Sequence, residues 1–169
     1  STQGVSSAAS DVYKRQVDNN RNYLAEFLPF VDYTKKVEDS KTFIQSALQQ
    51  FARGDGFHCG IWYDQKLVGV IGLHYLDLVN KRTSIGYYLA EDAQKKGIMT
   101  LCTKALIQYV YEEYDIHRIE IRMSTKNKKS RAIPIRLGFT QEGILRSEER
   151  LQGEFSDSYV YSLLREEYD

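Results

Sequence analysis

Gln94-Lys95-Lys96-Gly97-Ile98-Met99-Thr100 is the stretch on which the fold turns. An apolar strand over 85–90 leads into this short basic turn, and an amphipathic helix leaves it directly. The first backbone N–H groups of a helix have no partner within it, and they lie at the positive end of the helix dipole. A glycine-bearing turn at a helix start is therefore a ready anion site, and the two lysines add charge. The guest this chemistry suits is a pyrophosphate. Downstream, Ile119, Ile121 and Met123 alternate with Arg118, Glu120 and Arg122, which predicts a strand over 118–124 with one buried face.

Working outward, the residues before the turn read as two helices and then strands. A helix is expected from Ser10 as N-cap to about Leu28, interrupted near Asn19-Asn20, after a small, polar tail over 1–9. A second follows Asp39-Ser40, with Phe43, Ile44, Ala47, Leu48 and Phe51 at helical spacing, and ends at Gly54-Asp55-Gly56. Gly54, Gly56 and Gly60 precede a strand rather than follow one, so they read as a plain turn and not a nucleotide loop. Strands over 57–63 and 67–76 form a hairpin around Asp64-Gln65, with a third antiparallel strand over 83–90. The helix over roughly 98–114 shows Ile98, Leu101, Ala105 and Tyr109, with Cys102, Leu106 and Val110 beside them, as its apolar face. A short helix ends at Gly138, and strands over 139–150 and 158–164 flank a Gln152-Gly153 turn. The order α-α-β-β-β-α-β-α-β-β predicts an α/β (α+β) sandwich with a largely antiparallel sheet, not a doubly wound fold.

Composition bounds the function. The 169 residues suit one domain with one substantial core, and 42% apolar and 27% charged residues are ordinary globular values. Lys+Arg and Asp+Glu both number 23, which argues against a broad nucleic-acid surface. No apolar run approaches the roughly 20 residues of a membrane helix, and no signal peptide is visible. Cys59 and Cys102 stand in apolar segments without metal-ligand spacing, which reads as reduced, buried thiols in a cytoplasmic protein.

These residues resemble the GNAT superfamily of acyl-CoA-dependent N-acetyltransferases. The family signature Q/R-x-x-G-x-G/A at a helix start is matched by Gln94-x-x-Gly97-x-Met99, with Met99 departing from the small third residue. Asn127-x-x-Ser130, Leu137-Gly138-Phe139 and Glu142-Gly143 add to the match. The chain is most similar to the Rim-type ribosomal-protein N-acetyltransferases. That likeness runs through Arg21-Asn22-Tyr23-Leu24, Leu28-Pro29-Phe30-Val31-Asp32, Ile85-Gly86-Tyr87-Tyr88-Leu89 and the tail Leu163-Leu164-Arg165-Glu166-Glu167. The resemblance implies a three-layer sandwich whose mixed, mostly antiparallel sheet splays at the strands near 85–90 and 118–124. It implies a single acetyltransferase domain over 17–169. Residues 1–16 match poorly, because the family begins with a strand and these do not look like one.

The resemblance also assigns roles. Acetyl-CoA is the co-substrate, with its pyrophosphate at Gln94, Lys95, Lys96, Gly97, Ile98, Met99 and Thr100 and its pantetheine arm beside the backbone near Leu89. Lys95 and Lys96 read equally as solvated charges, and Asn127 as either an N-cap or a contact to the ligand. Ser130 takes the role of acid for the leaving thiolate, since the slot seven residues after Asn127, where many relatives carry tyrosine, is Pro134. Proline is comfortable only in a first turn, so the helix proper is expected to start late. Glu149 corresponds to the general base, while Glu148 is expected on the opposite face by alternation. His58, His74 and His117 read as structural, with His74 held in reserve as a base. No metal is implied.

The acceptor is a protein or peptide amine on one magnitude. A backbone α-amine, with pKa about 7.8, is partly neutral at pH 7, whereas a lysine amine near 10.4 costs roughly 3.5 kcal/mol more to deprotonate. A ribosomal-protein N-terminus acetylated by direct attack in a ternary complex is the expectation. A small-amine acetyltransferase acting on polyamines or antibiotics, and a non-catalytic acyl-CoA-binding module, are the alternatives. Neither nucleic acid nor membrane is an expected direct partner, and a homo-oligomer is compatible with the sequence.

Overall fold

The computed structural model describes residues 7–168. Among the described residues five helices and six strands follow the expected order, the first expected helix being split in two at Asn20: α1 (Ser7–Asn19), α2 (Arg21–Ala25), α3 (Val37–Arg53), β1 (His58–Tyr63), β2 (Lys66–Asp77), β3 (Arg82–Leu89), α4 (Ile98–Glu113), β4 (Arg118–Ser124), α5 (Lys128–Arg136), β5 (Thr140–Leu151) and β6 (Glu154–Leu164). The strands form one mixed sheet in the order β1-β2-β3-β4-β6-β5. Every neighbouring pair is antiparallel except β3 and β4. That one parallel step is made by α4, which crosses over between them. The two tightest hairpin turns, β1–β2 and β5–β6, each hold two residues at positive φ: Asp64 and Gln65 at 52° and 61°, and Gln152 and Gly153 at 50° and 87°. Both residues at positive φ is the turn whose twist matches paired strands.

The parallel pair is also where the sheet comes apart. Arg82 to Ile85 pair with Arg118 to Ile121, and no further β3–β4 pairing follows. Residues 86–89 and 122–124 therefore diverge, leaving a fork with unpaired backbone on its inner edges. On one face of the sheet, Ile85, Ile119, Ile121 and Leu163 pack with Ile107 and Val110 of α4 in the main core. On the other face, Tyr13, Val17, Leu24 and Val31 form a second cluster against Val70 and Tyr88. Helices thus cover both faces of the β1–β3 half.

Several expectations are corrected at this level. α1 runs through Ser10, which is fully buried within the helix and is not its N-cap. Residues 7–9 are helical, residues 1–6 of the expected tail lie outside the described residues, and α1 crosses the expected boundary at residue 17. α3 starts at Val37, before the expected Asp39-Ser40, because the Asp39 carboxylate reaches back to the amides of Lys35 and Lys36 at 2.9 and 2.7 Å. On α4 the buried face is Met99, Thr103, Leu106, Ile107 and Val110, while Leu101 is 71% exposed and Tyr109 half-exposed. This helix is apolar on two sides, so spacing alone could not choose between them. β4 buries Glu120 as well as its apolar face. Arg118 and Arg122 each bond that carboxylate and reach on to Glu142 and Glu148, which neutralises the burial. Cys59 is exposed and Cys102 half-buried, so the two thiols are free but not buried.

Candidate functional site

A cleft runs from α2 across the fork to α4 and α5. Leu89, Gln94, Lys95, Gly97, Ile98, Met99, Thr100, Asn127 and Ser130, all expected from sequence, line it. Lys96 and Glu149 do not. The Lys96 ammonium lies over the Tyr63 ring, 5.0 Å from its centre, a cation–π contact that draws it away from the turn.

At the cleft floor, Gly97 is the N-cap of α4 with φ 75°, a conformation that favours glycine. The first intrahelical bond runs from Leu101 N–H to Gly97 O at 3.0 Å, so the amides of Ile98, Met99 and Thr100 precede it. Gly97 has no side chain to cap them, and a Cβ placed there would meet nothing within 4 Å. The bulk of Met99, the departure from the family signature, packs in the core at 5% exposure. An anion of pyrophosphate size fits this open cradle. Gln94 is steadied by the Tyr23 hydroxyl, which also faces the cleft.

The opposite wall is α5. Asn127 caps it, its Oδ1 accepting the Ser130 N–H at 3.0 Å, so the capping role is filled. Pro134 lies inside α5 rather than in its first turn, a second correction. Proline removes the donor that the carbonyl four residues earlier would have had. Here that carbonyl belongs to Ser130, and the Tyr87 hydroxyl donates to it at 3.1 Å. Burial pushes the Tyr87 phenol well above its ordinary pKa, so it keeps the proton it donates. Sequence reasoning passed over Tyr87 and Arg136, both cleft residues. Arg136 donates from Nη1 to Thr100 Oγ1 at 2.8 Å, which sets a guanidinium beside the first turn of α4. A basic last turn on α5 was the available signal for it.

Glu149 stands on β5, on the sheet face away from α5. Its cross-strand partner is Ser156, whose hydroxyl bonds that of Ser124 at 2.8 Å. Ser124 alternates with the core-facing Met123, so this trio shares the opposite face. Glu148 shares it too, bonded to Arg122 at 2.8 Å, against the expected alternation. The reason is a bulge: the register slips between Leu145 and Glu149, and Ser147 has φ 52°. Among the described residues Glu148 has a basic partner and the Glu149 carboxylate has none. Burial, and then the charge of Glu148, push the pKa of half-buried Glu149 above the usual carboxylate value.

A mixed sheet forked beside a glycine-started helix is the frame of an acyl-CoA-dependent transferase. Residues 6–140 match the model of the acetyltransferase (GNAT) domain, and the chain belongs to that family. It is 36% identical over 151 residues to YdaF of Bacillus subtilis (strain 168), a candidate ribosomal N-acetyltransferase, covering 89% of this chain and 82% of that one. It is 28% identical to the ribosomal-protein-serine acetyltransferase of Escherichia coli (strain K12), over 85% of this chain and 80% of the other. Among solved structures, the ribosomal L7/L12 α-N-protein acetyltransferase RimL in complex with coenzyme A superposes with a TM-score of 0.90. It is 26% identical, with 97% of this chain and 93% of that one covered. The protein is an N-acetyltransferase that uses acetyl-CoA.

Proposed function

We propose that this enzyme acetylates the α-amine at the N-terminus of a protein, of the ribosomal-protein type, by direct attack of the amine in a ternary complex. The observation that supports this is the open start of α4 beside the β3–β4 fork, with Ser130 on the facing wall and Glu149 on the sheet face away from α5. Tyr87 bonds the Ser130 carbonyl on the α4–α5 side, and Glu149 pairs through its backbone with Ser156 on the other face. A thioester held in the fork would have an acid for its sulfur on one side and a base for the incoming amine on the other.

Acetyl-CoA supplies the activated acetyl group. The amides of Ile98, Met99 and Thr100 hold its pyrophosphate, with Lys95 and Arg136 adding positive charge, and the free edge of β3 near Leu89 receives the pantetheine arm as an added strand. Glu149, raised in pKa and without a basic partner, takes the proton of the acceptor ammonium. Ser130 gives a proton to the departing thiolate. The α-amine fits this machinery because a carboxylate base has little to do for a group with pKa near 7.8 and far more for a lysine. The names of the relatives support the same acceptor class.

Thiol release from acetyl-CoA, measured against N-terminal peptides, lysine peptides with blocked termini, and polyamines, tests this. Peptides with a free α-amine are expected to be preferred by at least tenfold in kcat/KM. S130A is expected to lose turnover while keeping acetyl-CoA affinity within a few-fold. A preference for polyamines would overturn the acceptor class, and no thiol release with any amine would make the chain a binding module.

A further inference from the structure

The sheet face opposite α5 carries a titratable group that the mechanism above leaves unused. β2 slips register between Leu73 and Leu76, and His74 sits in that bulge. Its ring lies against Gly86: a Cβ at that position would fall 2.2 Å from Nε2, so only glycine leaves the imidazole room. Gly86 is the first β3 residue beyond the last β3–β4 pair, Ile85 with Ile121. The imidazole therefore stands at the root of the fork. Arg122, the first β4 residue beyond the same pair, faces it and carries Glu148 on its far side. His74 and Glu149 thus share one sheet face, His74 on β2 beside the fork and Glu149 on β5, two strands beyond β4. Behind His74 a pocket of about 330 Å³, lined by Gln50, Arg53, Asp55, His58 and Tyr75, has room for several waters.

Forming an amide from an ammonium takes two protons off one nitrogen. The first leaves before attack, the second after the C–N bond has formed and as the C–S bond breaks. One of the two replaces the proton that Ser130 gives to sulfur, and the other goes to solvent. A single carboxylate holds only one at a time. We propose that His74 is a second proton acceptor for the acceptor nitrogen, acting from the root of the fork on the sheet face that also carries Glu149 and discharging to solvent through the pocket beneath α3. This rests on the fork being the site of acetyl transfer.

The surroundings keep the imidazole free to accept. Desolvation of the ring, and then the Arg122 charge, hold its pKa below the ordinary value. From β4 it faces Arg122, with Glu120 and Glu148 committed to that guanidinium. From β1 it faces His58, whose Nε2 is within 3.1 Å of Gln50 Oε1. From the end of α3 come Arg53 and Asp55, paired with each other at 2.8 Å. Among the described residues no carboxylate bonds the His74 ring, so nothing pins a proton on it.

The test compares H74Q and E149Q with the unaltered enzyme, using the preferred N-terminal peptide across pH 5.5–9. Acetyl-CoA affinity is read by calorimetry and folding by Tm. H74Q is expected to lose kcat at least tenfold near pH 7, to lose the limb that lies below the ordinary imidazole pKa, and to keep acetyl-CoA affinity within twofold. Free imidazole should restore part of the activity of H74A, which guards against a folding defect in either variant. A silent H74Q beside an impaired E149Q overturns this proposal alone. So does a loss that is equal at every pH and not rescued by imidazole, since that marks a structural role. Absence of transfer by the unaltered enzyme to any amine overturns the proposal together with the reading it rests on.

Discussion

Two helices begin at the cleft, and they begin differently. α4 starts at Gly97, which has no side chain, and leaves the amides of its first turn open. α5 starts at Asn127, whose side chain takes the Ser130 N–H at 3.0 Å. The helix dipole offers the same positive end in both cases. What separates an anion site from a structural joint is whether the chain satisfies its own donors. The second helix spends its donor on itself and, in return, ties down the Ser130 backbone. The first leaves its donors open.

The sharpest way to break this contrast is to make α4 begin as α5 does. Asparagine tolerates left-handed backbone better than most residues, so G97N can adopt φ near 75° and cap the same amides. Its acetyl-CoA affinity is expected to fall severalfold. G97D adds a carboxylate against the phosphates and should fall well over tenfold, because like charges in a tight site repel. Calorimetric titration separates the two. Equal affinity in G97D and the unaltered enzyme would remove the pyrophosphate from this turn.

How much of this was legible in sequence depends on the range of the interaction. The open turn was legible because everything that makes it lies within seven residues. So was β4, whose alternation of Ile119, Ile121 and Met123 is a local pattern. The β5 bulge was not: Ser147 takes φ 52° without glycine or asparagine to announce it, and one slipped residue moved Glu148 onto the face of Glu149. The mid-helix place of Pro134 was hidden for another reason. Its missing donor is replaced by Tyr87, 43 residues before Ser130 in the chain. Local rules judged Pro134 correctly and tertiary structure overruled them. Arg136 became a cleft residue in the same way, through a bond to Thr100 that only the packed helices create.

The converse variant on α5 should give the opposite signature. N127A removes a satisfied cap, so it is expected to cost about 1 kcal/mol of stability, which lowers Tm by roughly 2–4 °C in a chain of this size. Acetyl-CoA affinity should stay within a few-fold, since the cradle belongs to α4. Differential scanning calorimetry beside the titration decides this. An affinity loss as large as that of G97D, with Tm unchanged, would mean that Asn127 serves the ligand and not the helix.

The smallest effect concerns how α5 tolerates its proline. In the unaltered chain Y87F removes the side-chain donor on the Ser130 carbonyl, a loss expected to be near 1 kcal/mol. In P134A the backbone regains an N–H aimed at the same carbonyl, so Y87F should cost less there. A double-mutant cycle in urea is expected to show coupling on the order of 0.5 kcal/mol, since the two donors compete for one acceptor. If the two substitutions add without coupling, Tyr87 is not standing in for the lost helix bond. Ser130 would then owe its position to the Asn127 cap alone, and the two helix starts would differ by one side chain and nothing more.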